Sequence, residues 1–294
     1  MIKKIGYLGP PGTFSEMAAK VYLNGQGKGE MIPLPALSDI FQAVERGGLT
    51  EGILPLENST EGSVNQTLDL LAHRFPQAKI RQEIILSVNH HLLARTGVPF
   101  RKIVRVVSHP QALAQCRSYL ESALPGVEIQ EAASTAEAAA LVAAMPAPWA
   151  AIGTAQAAQS CGLVVLAEKI NDSAANATRF IAVAREDAPP GPGCKTSLLF
   201  SVEDRPGALC NVLLEFAERK INLTRIESRP TRNRLGEYLF FVDLQGHRTE
   251  PAVGQALAAV AQHTTSLRVL GSYPAVSGAE EEPAAVREKY RRAG

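Results

Sequence analysis

The chain has 294 residues, 46% of them apolar, and 30 Lys and Arg against 29 Asp and Glu leave a formal net charge of +1. This length favours about two domains, and the apolar content supports cores that need no disulfide or metal staple. The charge balance gives no basic excess for nucleic acid, and no run of about 18 apolar residues predicts a membrane span. Four widely spaced cysteines form no C-x-x-C pair, which favours free thiols in a reducing cytoplasm and no metal site.

Short apolar runs alternate with helical stretches over the first 186 residues. The start, MIKKIGYLGPPG, is typical of a first strand rather than of a signal peptide. Predicted strands cover residues 5–9, 51–57, 102–109, 127–132, 148–153, 162–170 and 180–184, and predicted helices cover 16–23, 37–47, 64–75, 111–122, 136–145 and 155–160. Strand-then-helix alternation predicts an α/β domain with mainly parallel sheets.

A break follows at residues 186–194, EDAPPGPGC, where three prolines and two glycines continue neither a helix nor a central strand. After it, strands are predicted at 195–202, 221–230, 237–246 and 266–273, with helices at 208–220 and 253–263. The order βαββαβ predicts a ferredoxin-like domain over residues 195–274. The charged segment 275–294 is expected to be a mobile tail.

Residues 8–16, LGPPGTFSE, form a Gly- and Pro-rich loop between a predicted strand and a predicted helix. A Walker loop reads G-x-x-x-x-G-K-[ST], and its Lys must reach the β- and γ-phosphates. Counted from Gly9, those positions hold Phe14 and Ser15, so an ATP site is not expected. Thr13 and Glu16 have capping-box spacing, and free N–H groups at a helix start suit an anion such as a carboxylate. A tight turn with an ordinary cap explains this stretch equally well.

Similar polar junctions lie beside several other predicted strands. Most follow a strand, at the sites where α/β sheets bind ligands, and the last one precedes the final strand. They are PLENSTEGSV (55–64), SHPQALAQC (108–116), STAE (134–137), IGTAQAA (152–158) and NATRF (176–180). Capping alone explains any single junction, whereas the set favours a cleft for a small polyanion. His90 and His91 are neighbours that face opposite sides of a strand, so we expect both to be structural.

These motifs, in this order, resemble those of prephenate dehydratases, and PGAL (206–209) with NLTRIESRP (222–230) resembles their C-terminal ACT regulatory domain. With no chorismate mutase segment before the first motif, the monofunctional form is expected. The resemblance implies conversion of prephenate to phenylpyruvate, with loss of CO2 and water, on the route to phenylalanine. It implies a cytoplasmic enzyme without a cofactor, without nucleic-acid or membrane partners, and with phenylalanine as feedback inhibitor.

The resemblance also implies a two-lobed, periplasmic-binding-protein-like catalytic domain over residues 1–186. One lobe is expected to hold residues 1–78 and 165–186, and the other residues 79–164. Because ferredoxin-like domains leave a sheet edge open, a homodimer or homotetramer is expected.

Residue roles are carried over from the matching motifs. The hydroxyl of Thr178 is expected to polarise the leaving hydroxyl, with Glu57, Asn58 and Gln115 orienting substrate or supplying protons. Substrate contacts are expected from Thr13, Phe14, Ser15, Ser59, Ser108, His109, Gln111, Ser134, Thr135, Asn176, Arg179 and Phe180. Arg179 has a second reading, pairing with Glu57 or another acid to hold the lobe together, which we favour slightly. Phe14 and Phe180 fit packing better than direct contact.

The resemblance places the phenylalanine site in the ACT domain, at Gly207, Ala208, Leu209, Asn222, Leu223, Thr224, Glu227, Ser228 and Arg229. Of these, Glu227, Ser228 and Arg229 are expected to be hinge or interface residues that respond to occupancy of the phenylalanine site. Two departures from the family pattern are Cys161, where Tyr is common, and Cys210, where Val is common beside the effector pocket.

Two other functions fit the same motifs. Arogenate dehydratase uses the same site on a substrate with an amino group in place of the keto oxygen. A non-catalytic sensor of small acids keeps the cleft and the ACT domain, although the intact Thr178, Glu57 and Asn58 argue against it.

Overall fold

The computed structural model of the chain describes residues 2–25, 27–173, 175–232 and 237–275. The tail expected to be mobile lies, from residue 276 onward, outside the described residues. The rest forms two α/β lobes followed by a C-terminal α+β domain.

The first lobe is built on a mixed sheet of strand order β2-β1-β3-β11-β5, with the short β4 paired to β3. Its strands are β1 (Lys3–Leu8), β2 (Gly29–Leu34), β3 (Glu51–Asn58), β4 (Gly62–Ser63), β5 (Lys79–Ser87) and β11 (Ala177–Ala184). Its helices are α1 (Phe14–Asn24), α2 (Leu37–Glu45) and α3 (Asn65–Asp69), which continues as a π-helical turn over Leu70–Arg74. Buried apolar residues on both faces of the sheet, such as Ile53 and Leu54, form the core of this lobe.

The second lobe is built on a sheet of order β10-β6-β9-β7-β8. Its strands are β6 (His91–Ala94), β7 (Arg105–Ser108), β8 (Glu128–Glu131), β9 (Trp149–Gly153) and β10 (Val164–Ala167). Its helices are α4 (Pro110–Gln115), α5 (Arg117–Ala123), α6 (Thr135–Ala144) and α7 (Ala155–Cys161), with a 3-10 turn at Phe100–Lys102. Small residues in α6 and α7, such as Ala138 and Ala158, let both helices approach the sheet closely.

Hydrogen bonding corrects two sequence predictions. β5 pairs antiparallel with β11, so residues 79–87 belong to the first lobe rather than the second. β10 pairs antiparallel with β6, so residues 164–167 belong to the second lobe rather than the first. The same antiparallel pairs make both sheets mixed, whereas mainly parallel sheets were predicted. The chain therefore crosses between the lobes at 88–90 and again at 168–176.

The C-terminal domain confirms the predicted βαββαβ order. It comprises β12 (Cys194–Ser201), α8 (Ala208–Glu218), β13 (Leu223–Pro230), β14 (Tyr238–Gln245), α9 (Pro251–His263) and β15 (Ser266–Pro274), in sheet order β13-β14-β12-β15. Val212, Phe216, Val253 and Val260 of the two helices pack on one face of this sheet.

The other face of the C-terminal sheet packs on the first lobe. Leu199, Phe241 and Leu270 of the C-terminal domain share one buried cluster with Ile80 and Ile181 of the lobe. The two backbones come close together at Gly271, where an added Cβ would lie 2.1 Å from the backbone oxygen of Ile80. The first lobe and the C-terminal domain are therefore tightly joined.

Candidate functional site

A cavity of about 300 Å³ lies between the two lobes. It is lined by Thr13, Phe14, Ser15, Pro55, Asn58, Val64, Val88, His90, His109, Gln111, Ala112, Gln115, Ala133, Ser134, Thr135, Thr178 and Phe180. Most of these residues come from the ends of β3 and β5, from the start of β11 and from the starts of α1, α4 and α6. The size matches a small organic molecule.

Two of the helices that begin at the cavity wall have capped N-termini. Thr13 Oγ accepts a hydrogen bond from the N–H of Glu16 (3.4 Å) at α1, and Ser134 Oγ accepts one from the N–H of Glu137 (3.0 Å) at α6. In both helices the Glu carboxylate reaches back to the N–H of the residue before the cap. The capping-box spacings therefore produce the predicted helix starts. They differ from the standard capping box in one bond, because each Glu accepts from the N–H of the residue before the cap and not from the N–H of the cap itself.

The third helix, α4, begins at Pro110 directly after a buried strand. His109 caps it, because its Nδ1 accepts a hydrogen bond from the N–H of Gln111 (3.3 Å). The first N–H groups of every helix lack acceptors within the helix, and the helix dipole adds partial positive charge there. Three helix starts facing one cavity make it a receptor for negative charge.

The cavity wall is almost free of ionisable side chains. Among the described residues that line it, none is Asp, Glu, Lys or Arg, and the titratable side chains are His90 and His109. Its polar groups are hydroxyls, amides and imidazoles, set among Phe14, Val64, Val88 and Phe180. An anion bound here is stabilised by dipoles and hydrogen bonds rather than by ion pairs.

Thr178 and Asn58 lie side by side on paired strands, β11 and β3. Asn58 Nδ2 donates to Thr178 Oγ (2.9 Å) and to Asn176 Oδ1 (3.0 Å). Since the Thr178 oxygen accepts from an amide N–H, its own proton is available to another acceptor. No described residue accepts that proton, so the Thr178 O–H is free to donate into the cavity.

His90 lines the cavity, which corrects the expectation of a purely structural residue. The chain crosses between the lobes here, and the ring of His90 packs edge-on against Phe14 with centroids 5.6 Å apart. His90 Nε2 lies 3.1 Å from Gln115 Oε1. Burial lowers the pKa of His90 to about 4, so the ring is neutral at physiological pH. The alternation of strand residues separated His90 from His91, but it did not show which of them faces the cleft.

The structure brings most of the sequence-predicted residues to the cavity. Those that line it are Thr13, Phe14, Ser15, Asn58, His109, Gln111, Gln115, Ser134, Thr135, Thr178 and Phe180. Those that do not line it are Glu57, Ser59, Ser108, Asn176 and Arg179.

Glu57 and Arg179 face away from the cavity, because they alternate with Asn58 and Thr178 along β3 and β11. The Glu57 carboxylate lies 3.8 Å from Arg179 Nη1 and 3.5 Å from Arg225 Nε of the C-terminal domain. The placement of Glu57 is therefore not that of a substrate-orienting group. Arg179 takes the structural reading, since its guanidinium pairs with Glu83 and Asp243 instead of reaching the cavity.

The other three residues outside the cavity have local partners. Ser108 is fully buried and donates to the backbone oxygen of Ile152 (2.7 Å), which joins neighbouring strands. Ser59 Oγ bonds to the backbone of residues 175 and 177, and so ties β3 to the crossing segment. Asn176 lies behind the cavity wall, between Asn58 and Gln115 (Nδ2 to Oε1, 2.8 Å). Substrate contact was expected of all three, and in this structure they support the residues that line the cavity.

The residues expected to bind the effector fall into two groups. Gly207, Ala208 and Leu209 form the start of α8, whereas Asn222, Leu223 and Thr224 follow its end and begin β13. An 11-residue helix separates the groups by about 16 Å. Within one chain they therefore do not form a single pocket.

The remaining effector candidates lie further along β13. Glu227 and Arg229 face the first lobe, where Arg229 binds Asp69 (Nη2 to Oδ1, 2.9 Å) and Glu227 accepts a hydrogen bond from Ser63. Ser228 alternates with them and is exposed. This placement supports the expectation that Glu227 and Arg229 are interface residues.

The described part of the chain lacks two features. No helix there is long and apolar enough to cross a membrane. The same residues contain no group of three or more His, Cys, Asp or Glu side chains arranged to hold a metal ion.

Comparison with known proteins gives matches over both domains. A family model described as prephenate dehydratase matches residues 5–188, and one described as ACT domain matches residues 196–262. A prephenate dehydratase of Methanocaldococcus jannaschii is 40% identical over 280 residues, which cover 93% of this chain and 99% of the relative. An Arabidopsis thaliana protein named arogenate dehydratase/prephenate dehydratase 2, chloroplastic, is 39% identical over 284 residues, covering 92% and 72%.

Among solved structures, the prephenate dehydratase of Arthrobacter aurescens in complex with L-Phe superposes with a TM-score of 0.85. It is 35% identical in sequence, and the alignment covers 99% of this chain and 96% of that chain.

Proposed function

The chain belongs to the prephenate dehydratase family, and from this premise we propose that its inter-lobe cavity converts prephenate to phenylpyruvate, CO2 and water. One observation carries the proposal: a small cavity whose described lining contains no Asp, Glu, Lys or Arg has three helix starts around it and a Thr178 hydroxyl whose proton is free to donate. No cofactor is needed, because formation of the aromatic ring supplies the driving force.

Prephenate carries two carboxylates, and the α1, α4 and α6 starts provide N–H donors for them. The hydroxyls of Thr13, Ser15, Ser134 and Thr135 lie at these starts and add hydrogen bonds. A Lys or Arg in the wall would stabilise the departing carboxylate in the ground state and so oppose loss of CO2. A wall whose described residues include no Lys or Arg holds the dianion while leaving that carboxylate free to lose its charge.

The bond from the ring to the departing carboxylate breaks, and its electron pair enters the ring. The bond from the ring to the hydroxyl oxygen breaks on the opposite side, and that oxygen leaves with its electron pair. Thr178 donates a hydrogen bond to this oxygen as negative charge develops on it, and a proton taken up from solvent converts the departing hydroxide to water. A donor placed at developing charge contributes about 3 kcal/mol to the transition state. Asn58 fixes the Thr178 oxygen by donating to it.

The cavity favours prephenate over arogenate. Arogenate carries an ammonium where prephenate has a ketone, and a desolvated ammonium needs an anionic partner. The described lining contains no carboxylate. We therefore expect a higher kcat/KM for prephenate than for arogenate.

The test is turnover of prephenate and of arogenate at neutral pH by wild type, Thr178→Val and Thr178→Ser. Phenylpyruvate is followed by its absorbance in alkali, and phenylalanine by chromatography. We expect Thr178→Val to lose about 100-fold or more in kcat while binding prephenate, and Thr178→Ser to keep most of the activity. A folded wild-type protein that binds small acids without turning over either substrate would instead be a sensor. Preferred turnover of arogenate would assign the runner-up activity.

The C-terminal domain is the proposed site of feedback inhibition by phenylalanine, through a homodimer. β13 is an edge strand with an exposed Ile226 (48%), and the helix face beside it exposes Leu214 (49%). Antiparallel pairing of two β13 edges about a two-fold axis would place the start of one β13 beside the end of the other. The two separated groups of effector residues would then meet across the dimer. The relative solved with L-Phe supports phenylalanine as the ligand.

Ile226→Lys tests this arrangement, with Ile129→Lys as the matched control, because Ile129 is equally exposed (47%) on the second lobe. Sedimentation should show a dimer or larger assembly for wild type and control and a monomer for Ile226→Lys. Phenylalanine inhibition should be lost in the monomer. An unchanged mass, or a monomer that phenylalanine still inhibits, would refute the shared site. We also infer a cytoplasmic location, supported by four cysteines without disulfides, which cell fractionation checks.

A further inference from the structure

The direction of the hydrogen bonds behind the cavity wall is set by two backbone donors. The N–H groups of Thr60 and Glu61 both point at Asn58 Oδ1, at 3.0 and 3.2 Å. A backbone N–H cannot act as an acceptor, so the Asn58 amide must present its oxygen to them. Its NH2 group is therefore turned towards Asn176 and Thr178.

This orientation passes to the neighbouring amides and closes a ring of four side chains. Asn58 donates to Asn176, so the NH2 group of Asn176 must face Gln115 Oε1 (2.8 Å). Gln115 Nε2 then donates to Thr60 Oγ (3.3 Å), and the Thr60 hydroxyl donates to Asn58 Oδ1 (2.6 Å). All four bonds run in the same sense, and such bonds polarise one another.

The ring also determines the tautomer of His90. Gln115 Oε1, already turned towards Asn176, can only accept, so His90 Nε2 must carry a proton and donate to it. His90 Nδ1 is buried and has no hydrogen-bond partner. This agrees with a neutral imidazole that carries its proton on Nε2, because Nδ1 then has no proton to donate. Gln115 Oε1 thus receives two donors, and its NH2 group is left facing Thr60 and Glu61.

We propose that His90 and Thr60 are positioning residues for the reaction, holding the Asn58–Asn176–Gln115–Thr60 ring in the one direction that leaves the Thr178 proton free for substrate. This inference rests on the proposed function, since it assigns the ring a role in that reaction. Gln115 extends from the second lobe and His90 from the crossing segment before it, whereas Asn58, Thr60 and Thr178 extend from the first lobe. The ring therefore fixes the lobes relative to one another at the point where Thr178 acts.

Two pairs of variants test the proposal. Thr60→Val removes the hydroxyl from an exposed position where folding is not at risk, and Thr60→Ser restores it. His90→Leu removes the Nε2 donor, and His90→Gln restores an N–H donor at about the same reach. His91→Leu is the control, because His91 is equally buried (3% exposed) and follows His90 in the chain but does not line the cavity.

We expect kcat for prephenate to fall about tenfold to 100-fold in Thr60→Val and His90→Leu, with KM changed much less. Thr60→Ser, His90→Gln and His91→Leu should each recover or retain most of kcat. The proposal is overturned if both Thr60→Val and His90→Leu keep kcat within twofold, or if the restoring variants fall as far as the removing ones.

A measurement on the wild-type protein does not depend on activity. Solid-state ¹⁵N NMR of histidine-labelled protein at pH 7, assigned by comparison with His90→Gln, distinguishes the protonated nitrogen from the bare one. A neutral ring protonated on Nε2 supports the ring direction. A proton on Nδ1, or an imidazolium, overturns it. If wild type turns over neither substrate, the proposed function fails, whereas the NMR result still tests the ring.

Discussion

Asp243→Asn removes the central carboxylate of the joint between the C-terminal domain and the first lobe. Asp243 and Arg179 are almost completely buried, and Arg179 Nη1 lies 2.6 Å from Asp243 Oδ2. Arg179 also contacts Glu83, which in turn binds the partly exposed Lys195 (2.8 Å), so the charges of these four side chains cancel. The substitution leaves one positive charge uncompensated.

The size of the effect follows from what remains around Arg179. The introduced amide could still accept the Ser197 hydroxyl through its oxygen, but its NH2 group would then face the Arg179 donor. Removing one partner of a buried pair costs about 3 to 5 kcal/mol. Glu83 Oε2 still lies 2.9 Å from Arg179 Nε, although the two are poorly aligned for a hydrogen bond. We therefore expect a loss of about 2 to 3 kcal/mol in the free energy of unfolding, or about 5 to 10 °C in Tm.

The assay is thermal and urea unfolding of both proteins at one protein concentration, with Glu121→Gln as control. Glu121 forms an exposed pair with Arg117, so its substitution should leave Tm unchanged. A Tm for Asp243→Asn within 1 °C of wild type, at roughly the precision of the method, would refute the role of the buried cluster.

The pH dependence of the same variant has a definite sign. Burial alone would raise the pKa of Asp243, but Arg179 and the Ser197 hydroxyl outweigh it and hold that pKa below the ordinary value of 3.8. The carboxylate therefore contributes stability above pH 3.8, and the contribution is lost as the pH falls through the lower folded-state pKa. The Tm difference between wild type and Asp243→Asn should shrink in that acid range and stay constant above it.

Three further predictions concern other positions. Gly271→Ala should lower the free energy of unfolding by about 1 to 3 kcal/mol, because the new Cβ would meet the Ile80 backbone. Gly191→Ala is the control and should have little effect, since Gly191 has open space around it; urea unfolding measures both variants. Burial raises the pKa of the Cys116 thiol to about 12, so little reactive thiolate forms there at pH 8. Iodoacetamide at pH 8 should label the exposed Cys210 in the native protein and Cys116 only after unfolding, and peptide mass spectrometry identifies the labelled residue. Burial lowers the pKa of His90 from 6.5 to about 4, so between these pH values the unfolded chain binds a proton that the folded chain does not. The free energy of unfolding should therefore fall as the pH is lowered from 6.5 to 4 in wild type, and less steeply in His90→Gln.

Sequence patterns predicted the helix starts and the second domain because these depend on local chemistry. Ser134 and Glu137 cap α6 through groups three residues apart, and the βαββαβ order follows from the periodicity of each segment. β5 was missed, because Arg81 and Glu83 interrupt its apolar pattern. Those charges have partners that the sequence does not place beside them, since Glu83 meets Arg179 and Lys195 from distant segments.

The side of a strand on which a residue lies could be predicted only in relative terms. Alternation shows that Glu57 and Asn58 face opposite ways, but the cavity side depends on where the second lobe and the C-terminal domain pack. Motif resemblance therefore placed Glu57 with the substrate, whereas tertiary packing turns it towards Arg225. His90 was missed for the same reason, because its role depends on a hydrogen bond to Gln115 across the lobe junction.

The alternation of side chains along β11 also places residues of the cavity and of the contact with the C-terminal domain next to each other in the chain. On β11, Thr178 faces the cavity and Arg179 faces Asp243 of the C-terminal domain, one residue away on the same backbone. Because Thr178 and Arg179 share a peptide bond, we expect a shift of the C-terminal sheet that displaces Arg179 to move the Thr178 hydroxyl as well. Because a misplacement of about 1 Å at a reacting group can cost about 100-fold in rate, we propose that a small movement of the C-terminal domain is enough to inhibit the reaction. The ion pairs of Arg179 and the proposed catalytic hydroxyl of Thr178 thus lie on opposite faces of one strand.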